Sequence, residues 1–342
     1  MIVRLCQRTG HLRPAASRAT EEAGVALLSM LLLVALLSVL ALGILDDIRF
    51  SRHRTSNSQA MTQARWYALG AESYARGIIV QFRARNANIT TNFSDWQTTP
   101  AQLPLDDGAL EIRLRDGGNC FNLNSLVEPE EDHFIRKPLG VGEFLALGAA
   151  IGVDEPQMRA LSDSLVDWMD GDQIRSDLGA EDDTYSRKKP AYATGATLFA
   201  EVSEIRAVQG VTPRNYARLR PFLCALPDTQ LSPININTLL PTQSPLIVML
   251  VQGRISNAAA RQLIERRPEA GFETKVAFWT QPLIANAAPG AEIRDQVKLN
   301  TQYFAYEATV KLGMTTLVSS ALLQADPAGK INVLARRWTP EE

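Results

Sequence analysis

The sequence predicts an α+β protein with a long N-terminal transmembrane helix, an antiparallel sheet packed on the second half of that helix, and a large all-α insertion. Three observations support this fold class. An apolar run without charge extends from Val25 to Leu45. Strand patterns occupy residues 110–114 and 302–338. Between them, residues 138–294 have mostly helical spacing of apolar side chains, interrupted by turn signals.

The apolar run follows a polar, arginine-containing leader that ends in Gly24. At roughly twenty residues the run can cross a hydrocarbon core of about 30 Å as a helix. It is too long for the apolar region of a secretory signal, which is roughly 7–15 residues, and no small-x-small cleavage site follows it. The plausible processing site therefore lies before the run, between Gly24 and Val25. Cleavage there would leave the hydrophobic helix as the mature N-terminus.

The helix is predicted to continue beyond the apolar run, because no proline interrupts residues 25–83. Its second half becomes amphipathic, with one apolar face suited to packing on a globular head. Leu110, Ile112 and Leu114 then alternate with charged residues, as in a half-buried strand. The turn residues Asp116-Gly117-Gly118 suggest that a β-hairpin begins there.

The remaining elements follow from the same patterns. Predicted C-terminal strands occupy residues 302–312, 315–323 and 330–338. Predicted helices of the insertion occupy residues 143–151, 155–169, 201–205, 213–222, 245–250 and 257–266. The predicted division is 1–24 leader, 25–45 transmembrane helix, 46–120 helix and first strands, 121–230 first helical insertion with an acidic loop, 231–296 second helical module of the SAM-like or helix-hairpin-helix type, and 297–342 C-terminal strands.

Composition limits the possible functions. The net charge of −2 does not favour nucleic-acid binding by the whole surface. Cys6 lies in the leader, so Cys120 and Cys224 remain as an even pair, which suggests one disulfide in an exported domain; two buried free thiols are the alternative. The chain has no Cys-x-x-Cys motif, Gly-rich phosphate loop or Gly-x-Ser-x-Gly elbow, so an enzyme is not expected.

Several motifs in order and spacing resemble those of GspK-type minor pseudopilins of the type II secretion system (general secretion pathway protein K). The motifs are Gly24-Val25-Ala26-Leu27-Leu28, Phe121-Asn122-Leu123-Asn124 beside Cys120, Asp167-Trp168-Met169-Asp170-Gly171-Asp172, Gly179-Ala180-Glu181-Asp182-Asp183, Cys224-Ala225-Leu226-Pro227 and Ile234-Asn235-Ile236-Asn237-Thr238. The resemblance implies a pilin-like head on the N-terminal helix.

The resemblance also implies a subunit at the tip of the secretion pseudopilus. That subunit would cap a complex with minor pseudopilins of the GspI and GspJ types, initiate assembly and support protein export across the outer membrane. Its further partners would be the major pseudopilin and the prepilin peptidase, which would cut after Gly24 and allow methylation of Val25. The expected location is the bacterial inner membrane, with a single span, a cytoplasmic N-terminus and the head in the periplasm. A type IV pilus tip is the nearest alternative.

One departure from major pilins accords with a tip role. Major pilins carry Glu at the fifth mature position, where it can pair with the N-terminal amine of a neighbouring subunit. Ser29 occupies that position here. A subunit without that carboxylate cannot offer the pairing to a subunit above it.

The acidic loop predicts a calcium site. Six carboxylates lie in a short stretch punctuated by glycines, namely Asp167, Asp170, Asp172, Glu181, Asp182 and Asp183. Calcium takes six to eight oxygen ligands from carboxylates, carbonyls and water. Asp170, Asp172, Glu181 and Asp183 are the expected ligands, with the carbonyl of Ile174 in addition. The alternative is a solvated loop neutralised by Arg175 and residues 187–189.

A nucleic-acid function is the alternative from another class. Residues 245–267, followed by Gly271-Phe272-Glu273, resemble a helix-hairpin-helix unit, which would make the chain a membrane-anchored, competence-like DNA-binding protein. Six basic side chains in residues 254–295 face five acidic ones, a balance of only +1. That balance is a poor electrostatic footprint for DNA. The sequence therefore predicts a module for protein contact and no nucleic-acid partner.

Overall fold

The computed structural model describes residues 18–85, 88–92, 96–326 and 328–339, with side chains from residue 24 onward. Residues 1–17, which form most of the predicted leader, lie outside the described residues. The chain divides into two compact units, Met1–Thr62 and Gln63–Glu342. The first helix, α1, begins at Arg18 and ends at Arg85. The prediction of one uninterrupted helix through residues 25–83 is confirmed.

The other elements follow in chain order. The helices are α2 (Pro138–Ala150), α3 (Glu155–Met169), α4 (Asp182–Tyr185), α5 (Pro213–Leu219), α6 (Ser244–Leu250), α7 (Asn257–Glu265), α8 (Lys275–Trp279) and α9 (Ala291–Gln296). The strands are β1 (Ala101–Leu105), β2 (Gly108–Asp116), β3 (Phe121–Asn122), β4 (Val127–Glu130), β5 (His133–Arg136), β6 (Leu223–Cys224), β7 (Ile234–Asn235), β8 (Val297–Lys298), β9 (Tyr303–Leu312), β10 (Thr315–Ala325) and β11 (Ile331–Arg337). The predicted C-terminal strands and the main helices of the insertion are thus present.

The first unit contains the apolar part of α1. Its large apolar side chains from Val25 to Leu45 are all exposed. The helix is long and apolar enough to cross a membrane. The hydroxyl groups of Ser29 and Ser38 donate to backbone carbonyls one turn earlier, Ala26 at 2.9 Å and Val34 at 2.8 Å. Both polar side chains are therefore satisfied within the helix and need no water.

The second unit is built on a five-stranded antiparallel sheet with the order β1-β2-β9-β10-β11. The later part of α1 buries one face, whose members recur at three- and four-residue spacing: Ala64, Ala68, Ala71, Ala75 and Ile79. Small alanines let the helix lie close to its neighbours. The Tyr306 hydroxyl of β9 donates to the Ala68 carbonyl at 3.1 Å, which joins the helix to the middle of the sheet.

The edge strand β11 is fastened to α1 by a buried carboxylate. Glu72 accepts two hydrogen bonds from the Arg336 guanidinium, at 2.7 and 3.0 Å, and pairs with Arg76 at 3.1 Å. Bidentate Arg–carboxylate pairs of this kind are stronger than hydrogen bonds between neutral groups. The last strand is thereby held against the helix as well as against β10.

The insertion leaves and re-enters the sheet at one end of two neighbouring strands, β2 and β9. The prediction that a hairpin begins at Asp116-Gly117-Gly118 is wrong, because the hairpin partner of β2 is the preceding strand β1. The glycine pair instead starts the insertion. A side chain on Gly117 would crowd the backbone at Ala305, and one on Gly118 would crowd Pro233. Glycines are needed here because two backbone segments pass close to each other. In the sequence, such glycines look the same as those of a turn.

The insertion consists of two helical modules with the same kind of closure. In the first module β3 pairs in parallel with β6, matching Asn122 with Cys224. In the second module β7 pairs in parallel with β8, matching Asn235 with Lys298. In sequence, the helices of each module lie between its two short strands. The modules meet where α2 packs against α6, and their apolar side chains form one continuous core.

An asparagine clamps a phenylalanine backbone in each module. The Asn124 side chain accepts from the Phe199 amide at 2.8 Å and donates to its carbonyl at 2.9 Å. The Asn237 side chain does the same to Phe272, at 2.7 and 3.0 Å. Each clamp pairs the backbone amide and the carbonyl of its phenylalanine, so the two Asn-x-Asn motifs of the sequence fold the chain back onto the start of its module.

Candidate functional site

A group of three carboxylates lies beside the end of α3. Ligand-capable oxygens of Asp167, Asp170 and Glu181 all lie within 4.8 Å of one another, and the three side chains are buried. Asp167 belongs to the last turn of α3, Asp170 follows its final residue, and Glu181 directly precedes α4. Two helix ends and the loop between them therefore bring the group together.

The local sequence explains why the loop can return to α3. Gly171 has a positive φ of 77°, a conformation that favours glycine, and it ends the helix immediately after Asp170. Gly179 lies so close to the Asp167 carboxylate that a Cβ at that position would collide with it. The loop is further held by the Ser176 amide, which donates to both Asp167 oxygens at 3.2 and 3.1 Å. The glycines noted in the sequence thus shape the site.

The electrostatics of the group are unfavourable for three bare carboxylates. Burial, reinforced by Asp172 and Asp167, raises the pKa of Asp170 to about 7. Burial, reinforced first by Asp170, raises the pKa of Glu181 to about 8. Burial also raises the pKa of Asp167, although the hydrogen bonds from Ser176 oppose that shift. Each ionised form therefore needs a compensating positive charge.

Three oxygens of the group lack a protein partner. Asp170 Oδ1 and both carboxylate oxygens of Glu181 are buried without a hydrogen-bond donor among the residues that the structure describes. An unsatisfied buried acceptor costs free energy, and an unsatisfied charged acceptor costs more. Hard divalent cations prefer carboxylate oxygens as ligands. The residues present therefore fit a bound divalent cation.

Only some of the predicted ligands belong to the buried carboxylate group. Asp170 and Glu181 belong to the buried group, and Asp172 lies close enough for its charge to raise both of their pKa values. Asp172 also accepts from the Ile174 amide at 2.6 Å, while the Ile174 side chain is 78% exposed. Asp183 is not brought into the group, because its carboxylate pairs with Arg187 at 2.9 Å.

Asp167 is the functional candidate that the predicted ligand set omitted. It belongs to the acidic stretch, but it stands three residues before Asp170 on α3. Positions i and i+3 of a helix share a face, so this spacing was the available signal. Asp182 is used differently, since it accepts from the Thr194 amide at 2.7 Å and from its hydroxyl at 2.9 Å.

A disulfide joins the base of the first module to the sheet exit. Cys120 and Cys224 are bonded, with a Cα–Cα distance of 5.7 Å and a sequence separation of 104. The predicted pairing is confirmed. The bond lies beside the parallel pair of β3 and β6, so the covalent link and the hydrogen bonds close the module at the same point.

Relatives of known assignment agree with this architecture. Family models of the type II secretion system (T2SS) protein K match residues 119–228 and 234–300. The T2SS protein K of Aeromonas hydrophila is 33% identical over 323 residues, covering 92% of this chain and 97% of that protein. The T2SS protein K of Pseudomonas aeruginosa is 32% identical over 320 residues, covering 92% of each. The chain belongs to the type II secretion system protein K family.

A solved structure agrees with the protein K fold. A chain in the crystal structure of the GspK–GspI–GspJ complex from the enterotoxigenic Escherichia coli type 2 secretion system matches with a TM-score of 0.73 at 29% identity. The match covers 84% of this chain and 99% of that chain. The predicted fold class and the resemblance to GspK-type pseudopilins are confirmed. Protein K is a secretion-system component, and its family is not an enzyme family.

Protein K homology and the N-terminal helix together indicate a membrane-anchored protein. The two family models also divide the insertion where the structure does, since the first ends at residue 228 and the second begins at β7. The apolar helix precedes both matched regions. The membrane anchor and the helical insertion are thus separate parts of the chain.

Three basic side chains of the helix-hairpin-helix-like segment of this protein K chain are engaged by groups of the chain itself. Arg254, in the turn between α6 and α7, donates to the carbonyls of Ala287 and Ala288. Arg267 donates to two carbonyls of the 236–239 segment at 3.0 and 2.9 Å. Arg261 pairs with Glu265 at 2.8 Å on α7. Contacts of this kind do not leave these groups directed at a phosphate backbone, and they count against the DNA-binding alternative.

Proposed function

We propose that this chain is the minor pseudopilin at the tip of the T2SS pseudopilus, where it caps a complex with GspI-like and GspJ-like subunits and initiates assembly. The observation that carries the proposal is the likeness to a chain of the GspK–GspI–GspJ complex over 84% of the sequence. By capping the complex and initiating assembly of the filament, the subunit would support protein export across the outer membrane.

The position of the insertion supports a capping role. Phe82, near the end of α1, packs against Trp96, which packs against Phe304 at the start of β9, with the rings tilted in both pairs. Arg83 donates to the Asp326 carbonyl at 2.5 Å in the same region. The insertion joins the sheet at this end, where β2 ends and β9 begins. Two helical modules at the end of the head where α1 stops would obstruct a further subunit stacked there.

Ser29 supports the same role. Its hydroxyl is bonded within the helix to the Ala26 carbonyl, and it carries no charge. It therefore cannot form an ion pair with the amino terminus of a subunit above it. The steric and the electrostatic arguments concern different parts of the chain and lead to the same position in the filament.

The tip position can be tested by labelling. A C-terminal epitope on the full chain, in cells that overproduce the major pseudopilin, should be found at one end of each pseudopilus. The matched control is the same epitope on the major pseudopilin, which should label the full length. Label from this chain along the filament, or failure of the chain to co-purify with GspI-like and GspJ-like subunits, would contradict the proposal. Labelled tips on type IV pili in cells with intact export would favour the pilus alternative.

Processing supplies a second test. The proposal places the chain in the inner membrane with a cytoplasmic N-terminus and a periplasmic head, and it requires the prepilin peptidase to cut between Gly24 and Val25. Mass spectrometry should find Val25, methylated or not, as the first residue in cells with the peptidase and the uncut chain in cells without it. A chain that starts elsewhere would exclude pseudopilin processing.

Calcium is the proposed structural cation of the head. The buried group of Asp167, Asp170 and Glu181, with its three unsatisfied oxygens, would supply the carboxylate ligands, and Asp172 is the nearest further carboxylate. The Ile174 carbonyl and water would complete a set of oxygen ligands. Asp183, paired with Arg187, would have to break that pair to join the set. The cation would neutralise the group and fasten the loop to α3.

A further inference from the structure

A buried glutamate joins the two helical modules away from the carboxylate group. Glu143 lies on α2 of the first module and is only 1% exposed. Its Oε2 atom accepts from the Gln296 amide nitrogen at 3.2 Å, and Gln296 is the last residue of α9 in the second module. This side-chain pair is therefore a contact between the two modules, made by residues 153 positions apart in sequence.

The contact is only half complete when Glu143 is ionised. A carboxyl group and a primary amide can join through two parallel hydrogen bonds, one from the amide nitrogen and one from the acid proton. The first bond is present. Glu143 Oε1 and Gln296 Oε1 are both buried and have no partner among the residues that the structure describes. Both are acceptors in the ionised pair, so neither can satisfy the other.

A single proton resolves both unsatisfied atoms. Placed on Glu143 Oε1, it turns that atom into a donor and supplies the bond that Gln296 Oε1 lacks. We infer that Glu143 is protonated in the folded head at neutral pH and that the Glu143–Gln296 pair is a pH-sensitive clasp between the two modules. Alkaline pH opens the clasp by removing the proton and leaving a buried, half-satisfied carboxylate at the contact.

The charges around the clasp favour the protonated form. Burial is the largest cause that raises the pKa of Glu143, to about 8, and the charge of Glu292 on α9 adds to it. Lys137, which precedes α2, acts in the opposite direction, but its ammonium is engaged with Glu292 at 3.1 Å. The net surroundings therefore do not supply the cation that an ionised Glu143 would need.

The other elements packed on α2 bring no competing charge. Neither α6 nor the turn at residues 123–126 carries a titratable side chain. The charged groups of α3 are engaged elsewhere, as three pairs show: Glu155 with Arg159, Asp163 with Arg136, and Asp167 with Ser176.

Infrared difference spectroscopy on the full chain in detergent micelles tests the inference directly. At pH 7 with calcium, subtracting the spectrum of Glu143→Gln from that of the wild type should leave the carbonyl band of a protonated carboxylic acid. That band should disappear as the pH rises through about 8. The matched control, Glu265→Gln, removes an exposed carboxylate of the second module that pairs with Arg261, and it should leave no such band. Absence of the band at pH 7 in the Glu143→Gln difference would overturn the inference.

Thermal stability gives a second readout. Unfolding exposes Glu143 and restores its ordinary pKa, so the wild type should lose stability relative to Glu143→Gln as the pH rises from about 4.5 to about 8. The variant's amide can make both hydrogen bonds without a proton, so its advantage in Tm should be absent near pH 4.5 and reach several degrees at pH 8. An advantage that does not change with pH would overturn the clasp. If Glu143→Gln does not fold, Glu143→Met provides the same spectral subtraction.

Discussion

Removal of the proposed calcium ion should destabilise the head, and the effect should grow with pH. Without a cation, Asp170 and Glu181 keep protons because their pKa values are about 7 and about 8. Both values lie above those of an unfolded chain, so the cation-free head loses stability as the pH rises from about 4 through about 8. Calcium replaces the protons and removes that loss. Its stabilising effect is therefore small in acid and large at pH 8.

The size of the effect follows from the same groups. At pH 7, Asp170 holds about half a proton and Glu181 about nine-tenths, so calcium should release between about one and one and a half protons on binding. The apparent affinity should then rise by about 10- to 30-fold per pH unit near pH 7. Free calcium at about 100 times its Kd stabilises by about 2.7 kcal/mol, which corresponds to a Tm increase of about 5–10 °C for a domain of this size class.

Tryptophan-fluorescence melting of the full chain in detergent micelles, with calcium or with a chelator at pH 6, 7 and 8, is the assay. Asp170→Asn and Glu181→Gln should abolish most of the calcium-dependent shift. Asp177→Asn, an exposed carboxylate of the same loop, is the matched control and should keep it. Asp183→Asn should also keep most of it, because Asp183 faces Arg187.

Two results would refute the reasoning. Equal melting temperatures with calcium and with chelator at pH 8 would show that no calcium binds the group. A calcium-dependent shift that survives both Asp170→Asn and Glu181→Gln would place the cation elsewhere. Loss of the shift in Asp183→Asn would instead restore Asp183 to the ligand set and require the Arg187 pair to open on binding.

Three further outcomes are expected. Replacing Cys120 and Cys224 by serine should lower the free energy of unfolding by about 4 kcal/mol, since the bond closes a loop of about 100 residues, and denaturant titration with and without reductant measures it. Glu72→Gln should cost about 2–3 kcal/mol by the same titration, because it weakens a buried pair whose arginine on β11 is partly exposed. Chelation should speed hydrogen exchange at the clamped Phe199 amide and leave the Phe272 amide unchanged; equal acceleration at both would contradict a local role for the cation.

Periodicity predicted the fold well wherever one face of an element is buried. The bounds of α3 match the prediction at both ends, and β9, β10 and β11 lie where alternation placed them. The strand β1 was not predicted, because it is a short edge strand with Pro104 inside it. Proline is tolerated only where no partner strand needs its amide, so an edge strand of this kind has a weak sequence signal.

The candidate site was predicted in part for a physical reason. Clustered carboxylates in sequence identified the loop, but which of them point inward depends on the return of the chain past Gly179, next to Asp167. Asp183 was among the expected ligands, yet Arg187 lies one turn later and provides a local partner. Spacing alone could not decide between a ligand and an i,i+4 ion pair.

The two helical modules show why only the first would need a cation. Both close through a parallel strand pair and an Asn-x-Asn clamp on a phenylalanine backbone. In the second module the chain reaches its clamp directly, since only residues 266–271 separate α7 from Phe272. In the first module residues 170–198 intervene, and ordering that much extra chain carries a larger entropy cost. The buried carboxylates lie at the beginning of this extra segment and in its middle. A divalent cation between them would fasten the added chain to α3, whereas the shorter connection in the second module would not need one.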